Sequence, residues 1–128
     1  MKRDMDLVRD FLLKIANADE PPNFSDLILD REEGSREHEV AVYNMRMLID
    51  DVGLVTGVNV ASHDGYDWIE LELTWSGNDF LDNIRDQTVW EKTKQGAQKL
   101  GGASWDVVIE LAKGYLKAEA KKRLGVEL

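Results

Sequence analysis

The strongest constraint on how this chain folds lies between Trp68 and Arg85, where a two-residue rhythm gives way to a helical one. Trp68, Glu70 and Glu72 alternate with Ile69, Leu71 and Leu73, and then Gly77, Phe80, Leu81 and Ile84 recur at steps of three and four. The alternation predicts a strand with Ile69, Leu71 and Leu73 facing inward and Trp68 on the outer face. The later spacing predicts a helix over 75–85, capped by Thr74. Gly77 falls on its inward side, where the lack of a side chain lets another backbone come close.

A strand of that kind needs a partner and a core. Leu54 to Ala61 supplies the partner, joined through the turn signal His63-Asp64-Gly65, and the two predict a hairpin. A two-stranded hairpin cannot bury its apolar face alone, so it requires the stripes of the preceding helices. The first stripe is Leu7, Val8, Phe11, Leu12 and Ile15, capped by Asp4 or Asp6 and ending near Ala18. Asp19-Glu20-Pro21-Pro22-Asn23 is a stiff turn, and Phe24 to Leu29 reads as a short edge strand. Ser35 caps a second helix over 36–52, with Val40, Tyr43, Met47, Leu48 and Val52 inward and Gly53 as its stop. Beyond Arg85, Thr88 and Glu91 have the spacing of a capping box for a helix carrying Trp90, Thr93, Ala97 and Leu100 inward. Gly101-Gly102 ends it. Ser104 then caps a last helix with Trp105, Val108, Ile109, Ala112, Leu116 and Ala120 inward.

Helix, short strand, helix, hairpin, helix is the order of a small winged-helix domain. The chain therefore reads as α+β, with a winged-helix-like core over 1–86 and two additional C-terminal helices over 87–128 packed on it as one domain. At 128 residues it is long enough to bury a core unaided, and 43% hydrophobic with 32% charged residues is the balance of a folded chain. There is no cysteine, which excludes disulfides and thiolate metal sites. The charged start and the absence of a membrane-length apolar run predict a cytoplasmic protein without membrane contact.

Charge bears most directly on function. Residues 1–85 hold 8 basic against 19 acidic side chains, net −11, and residues 86–128 hold 8 against 6, net +2, which together give the −9 of the whole chain. Between Arg46 and Arg85 there is no lysine or arginine at all. A phosphate backbone is repelled by such a stretch. Catalytic signatures are also missing: there is no glycine-rich phosphate loop, no Gly-x-Ser-x-Gly elbow and no cysteine nucleophile. His38, between Glu37 and Glu39, and His63, beside Asp64 and Asp67, lack the spacing of metal ligands. No cofactor, metal or catalytic residue is assigned.

Met1 to Arg9, Tyr43 to Val55, and above all Leu73 to Asp86 with Val89 to Lys94 resemble an uncharacterised family of small bacterial and phage proteins, domain of unknown function two-five-one-three. Trp75-Ser76-Gly77 through Trp90-Glu91-Lys92 is the most specific part. Family members usually carry histidine after the tyrosine of the second helix, where this chain has Asn44. The resemblance implies a winged-helix-like fold and a phage or prophage context, and it supplies no catalytic residues.

Two expectations follow from these readings. The first is a non-enzymatic acidic protein acting through contacts with a host or phage protein, as an adaptor or inhibitor, with Asp64, Tyr66, Asp67 and Trp68 as its interaction surface and a homodimer through the last helices as a further association. In the extreme, its acidic surface resembles nucleic acid. The alternative is a dimeric transcriptional regulator reading DNA with Arg36, His38, Asn44 and Arg46 on the second helix and residues 62–66 as a wing. The acidity of the surface disfavours it.

Overall fold

Every helix with a clear cap and stripe in the sequence is present in the computed structural model, which describes residues 2–127. The order is α1 (Met5–Asn17), α2 (Phe24–Leu27), α3 (Arg36–Arg46, continued by a π-helical turn Met47–Asp51), β1 (Val55–Asn59), β2 (Trp68–Leu73), α4 (Trp75–Ile84), α5 (Gln87–Lys99) and α6 (Trp105–Leu124). The sheet is a two-stranded antiparallel hairpin. The chain forms two compact units that divide between Asn78 and Asp79, inside α4.

In the first unit, α1 buries all five residues of its stripe, and the Asp4 carboxylate accepts the Leu7 amide at 3.0 Å. Ser35 likewise caps α3, accepting the His38 amide at 3.1 Å. The helix closes through a π turn, with the Val52 amide bonded to the Met47 carbonyl and Leu54 to Leu48. Gly53, at φ +67°, then takes the left-handed position that ends it.

Residues 24–29 are not an edge strand. Asp26 accepts the Asn23 amide at 3.0 Å, which fixes a helical turn, and Phe24, Leu27 and Ile28 are buried at the three- and four-residue spacing of a helix. Leu29 is left exposed. What remains of a third strand is one bond, from the Leu71 amide to the Pro22 carbonyl at 2.9 Å.

The hairpin departs from simple alternation as well. Val55 pairs with Leu73 and Thr56 with Glu72, but Val58 pairs with Ile69 and Asn59 with Trp68. Glu70 and Leu71 thus oppose the single residue Gly57, a β-bulge, and Glu70 takes φ +55°. The extra residue reverses the side-chain parity beyond it. Leu71 stays buried, Ile69 turns partly outward, and Trp68, expected on the outer face, is buried at 2% exposure.

Thr74 caps α4 as expected: its Oγ1 accepts the Gly77 amide at 3.0 Å and donates to the Gly53 carbonyl at 2.7 Å. In the second unit the cap of α5 is Asp86 rather than Thr88, since the Asp86 carboxylate accepts the Val89 amide at 3.0 Å and the helix starts at Gln87. Trp90, Thr93 and Ala97 are buried along α5, whereas Leu100, expected inward, is exposed because the helix has already ended at Lys99. Phe80 meets Trp105 edge-on at 5.5 Å.

Candidate functional site

The four residues expected to read DNA do not form one surface. Arg36 is exposed at the start of α3 and His38 is half-buried two residues further on. Asn44 is fully buried: its Oδ1 accepts the Asp4 amide at 2.8 Å, and its Nδ2 donates to the Val40 carbonyl at 2.9 Å. It ties the start of α1 to α3 and has no contact to offer a ligand. Arg46 lies across the Tyr43 ring at 5.8 Å and reaches the Asp51 carboxylate at 3.4 and 3.5 Å. The neighbouring Arg31 donates to the Glu37 carbonyl at 2.6 Å. Arg31 and Arg46 are thus spent on the protein itself, while Arg36 stands exposed beside the exposed Glu37, Glu39, Asp50 and Asp51.

The expected interaction surface fares differently, residue by residue. Asp64 and Asp67 are exposed, and Tyr66 is 41% exposed. Trp68 is not part of that surface. Tyr66 stacks on Trp68 at 4.8 Å, Trp68 meets Phe24 edge-on at 5.2 Å, and Phe24 meets Phe11 at 5.9 Å, so a ladder of rings runs from the hairpin into the core. The hairpin end is braced by Asn59, whose Oδ1 accepts the Asp67 and Ala61 amides at 2.9 and 3.1 Å while its Nδ2 donates to the Gly65 carbonyl at 3.2 Å. The acidic tip is therefore held by side-chain bonds rather than left as a loose loop.

Two features were not foreseen from sequence. One is a groove of about 530 Å³ on the outer face of the hairpin, lined by Glu20, Pro21, Thr56, Val58, Glu70 and Glu72. No local signal announces it, because the turn and the two strands are brought together by the long-range Pro22–Leu71 and Asn23–Glu70 bonds and the bulge. The other is an ion network in the second unit. Lys92 donates to the buried Glu119 at 2.7 Å, and Arg123 donates to Glu119 at 3.0 Å and to both oxygens of Asp86 at 2.6 and 3.1 Å. Only its Glu119–Arg123 step, four apart on a helix, is visible in sequence.

The hydrogen bond from Arg123, with that of the Val89 amide, holds the Asp86 carboxyl below its ordinary range. Lys92 does the same for Glu119 against the opposing effect of burial, and Asp86 in turn raises Arg123. These groups satisfy one another. They join the start of α5 to the end of α6. Among the described residues, no three His, Cys, Asp or Glu side chains are grouped to hold a metal ion, and no helix is long and apolar enough to cross a membrane.

An α+β fold with a closed ion network and an acidic, braced hairpin defines the class as far as geometry goes. The chain belongs to the family described as "Hypothetical protein (DUF2513)", whose model matches residues 2–104. It is also 34% identical over 94 residues to an uncharacterized protein of Haemophilus influenzae, a match covering 73% of this chain and 76% of that protein. No solved structure matches it.

Proposed function

We propose that this chain is a non-enzymatic winged-helix-like protein that works by binding another protein, as an adaptor or inhibitor in a phage or prophage setting. Support for the winged-helix reading comes from the order α1, Pro22 bridge, α2, α3 and hairpin, in which α2 and α3 take the places of a helix-turn-helix and β1–β2 that of the wing. The observation that carries the binding mode is the state of the α3 face. Arg46 is engaged by Asp51 and Tyr43 and Arg31 by the Glu37 carbonyl, so exposed Arg36 stands among the exposed carboxylates of Glu37, Glu39, Asp50 and Asp51. A DNA reader needs free cations at that face to hold register on phosphate. An acidic face instead favours a basic protein surface.

The test is a pair of measurements on the full chain. A gel-shift assay at low salt on DNA flanking its own gene is expected to show no sequence-dependent retention, and tight retention there overturns the reading in favour of a dimeric regulator. Affinity capture from host lysate is expected to recover a basic protein in stoichiometric amount; recovery of nothing stoichiometric counts against it.

A further inference from the structure

The two edges of the hairpin are not equivalent. The outer edge of β2 is closed, since the Leu71 amide donates to the Pro22 carbonyl and the Glu70 amide reaches the Asn23 Oδ1 at 3.4 Å. On β1, the Val60 amide donates to the Asp67 carbonyl. Antiparallel alternation then turns the backbone groups of Val58 and Thr56 into the hairpin and those of Gly57 and Asn59 away from it. Among the described residues, no backbone group from outside the hairpin bonds to Gly57. An open edge of this kind is a template for one more strand.

We propose that the open edge of β1, with the outer face of the hairpin beside it, docks an extended lysine- or arginine-bearing segment of a partner protein as a third strand. This rests on the protein-binding reading above and names the chemistry of its partner. A strand laid beside β1 places alternate side chains over the outer face. Val58 is 52% exposed and Val60 47% exposed there, and they offer apolar contact. Glu20, Glu70 and Glu72 line the same groove and offer carboxylates to cations. Lysine or arginine at every second position lays its aliphatic stem on Val58 and Val60 and carries its charged head toward those carboxylates, so a segment that alternates basic and apolar residues, with its basic side chains over this face, matches both.

The same charges argue against the other occupants. A second copy pairing through its own β1 brings no lysine or arginine from residues 47–84 to the carboxylates of this face. A nucleic acid strand is repelled by them. The carboxylates therefore favour a cationic strand over a second copy. Gly57 itself is unsuitable as a probe, because a Cβ there would lie 2.7 Å from the Leu71 Cδ2 and disturb the bulge.

The experiment is an amide-resolved NMR titration of the isotope-labelled full chain with a short peptide of alternating lysine and valine at low salt. Saturable shifts confined to Val55–Val60 and slowed amide exchange at Gly57 and Asn59 are expected. The double variant E70Q/E72Q, with an unchanged circular dichroism spectrum, is expected to bind about tenfold more weakly. A peptide of the same charge, N-methylated at alternate residues, keeps the cations but cannot pair with the edge, and is expected to lose the shifts. Equal shifts with the methylated peptide, spread over all carboxylates, reduce the effect to bulk ion attraction and overturn the proposal. Absence of shifts at β1 overturns it too. Saturable shifts on α3 instead leave protein binding standing and refute only this site, whereas DNA retention in the gel shift refutes the wider reading.

Discussion

The carbonyl oxygen of Leu54 occupies the place where a Cβ on Gly77 would have to sit. The Thr74 amide donates to that same oxygen at 3.0 Å, so the first turn of α4 is pressed against the chain entering β1. Gly77→Ala pits helix propensity, which favours alanine by about 1 kcal/mol, against displacement of this backbone, which costs about 3 kcal/mol. The clash wins. Urea unfolding of the variant is expected to show a net loss of about 2 kcal/mol, and a gain in stability would mean that the close approach is absent in solution.

Glu70 adopts φ +55°, a conformation that costs a side-chain-bearing residue about 1 kcal/mol and glycine almost nothing. Glu70→Gly should therefore stabilise the chain by about 0.5 to 1 kcal/mol in spite of the greater freedom it gives the unfolded state. Glu70→Ala removes the same charge but keeps the strain. Denaturation midpoints that rise for glycine and not for alanine assign the effect to the backbone; equal rises assign it to relief of charge repulsion.

Elements whose caps and stripes are local were legible in the sequence. Asp4, Ser35, Thr74 and Ser104 cap the helices they were expected to cap, and the α1 stripe is buried in full. What failed depended on contacts far apart in sequence. The parity of Trp68 was inverted because a bulge cannot be read from alternation, and this one is held by bonds from Glu70 and Leu71 to a turn some fifty residues earlier. Asn44 looked like a base-reading side chain because nothing local reveals that its partner is the amide of Asp4. The groove beside β1 was illegible for the same reason. Its carboxylates were visible as composition, and only the docking of Glu20 and Pro21 on the hairpin makes them a surface.

Replacing Asn44 separates an architectural residue from a ligand-reading one. Asn44→Ala leaves the Asp4 amide without its buried acceptor and opens a small void, at a cost of about 1 to 3 kcal/mol. Arg36→Ala, by contrast, alters an exposed side chain and is expected to change stability by less than about 0.5 kcal/mol. Thermal melts of the two variants give the comparison. Equal, negligible effects would return Asn44 to the list of surface contacts.

The Asp86–Arg123–Glu119–Lys92 network makes stability depend on acid in a direction its geometry fixes. Both carboxyls are held below their ordinary range in the folded chain, so the unfolded chain takes up protons first as pH falls. Their contribution is fully present above the unfolded carboxylate range near pH ~4 and is lost as pH drops through and below it. Glu119→Gln removes the negative charge that Lys92 and Arg123 share and turns one of its two acceptor oxygens into a donor group, leaving two cations without that carboxylate between them. The variant is expected to melt at a lower Tm than the parent at pH 7, with the gap closing as pH is lowered below about 4, where the parent has lost the same interaction. Added salt should narrow the gap only in part, because Glu119 is buried while Lys92 and Arg123 are about half exposed. A gap that is independent of pH would show that Glu119 stabilises α6 by packing alone, and that its two cationic partners contribute nothing that protonation can remove.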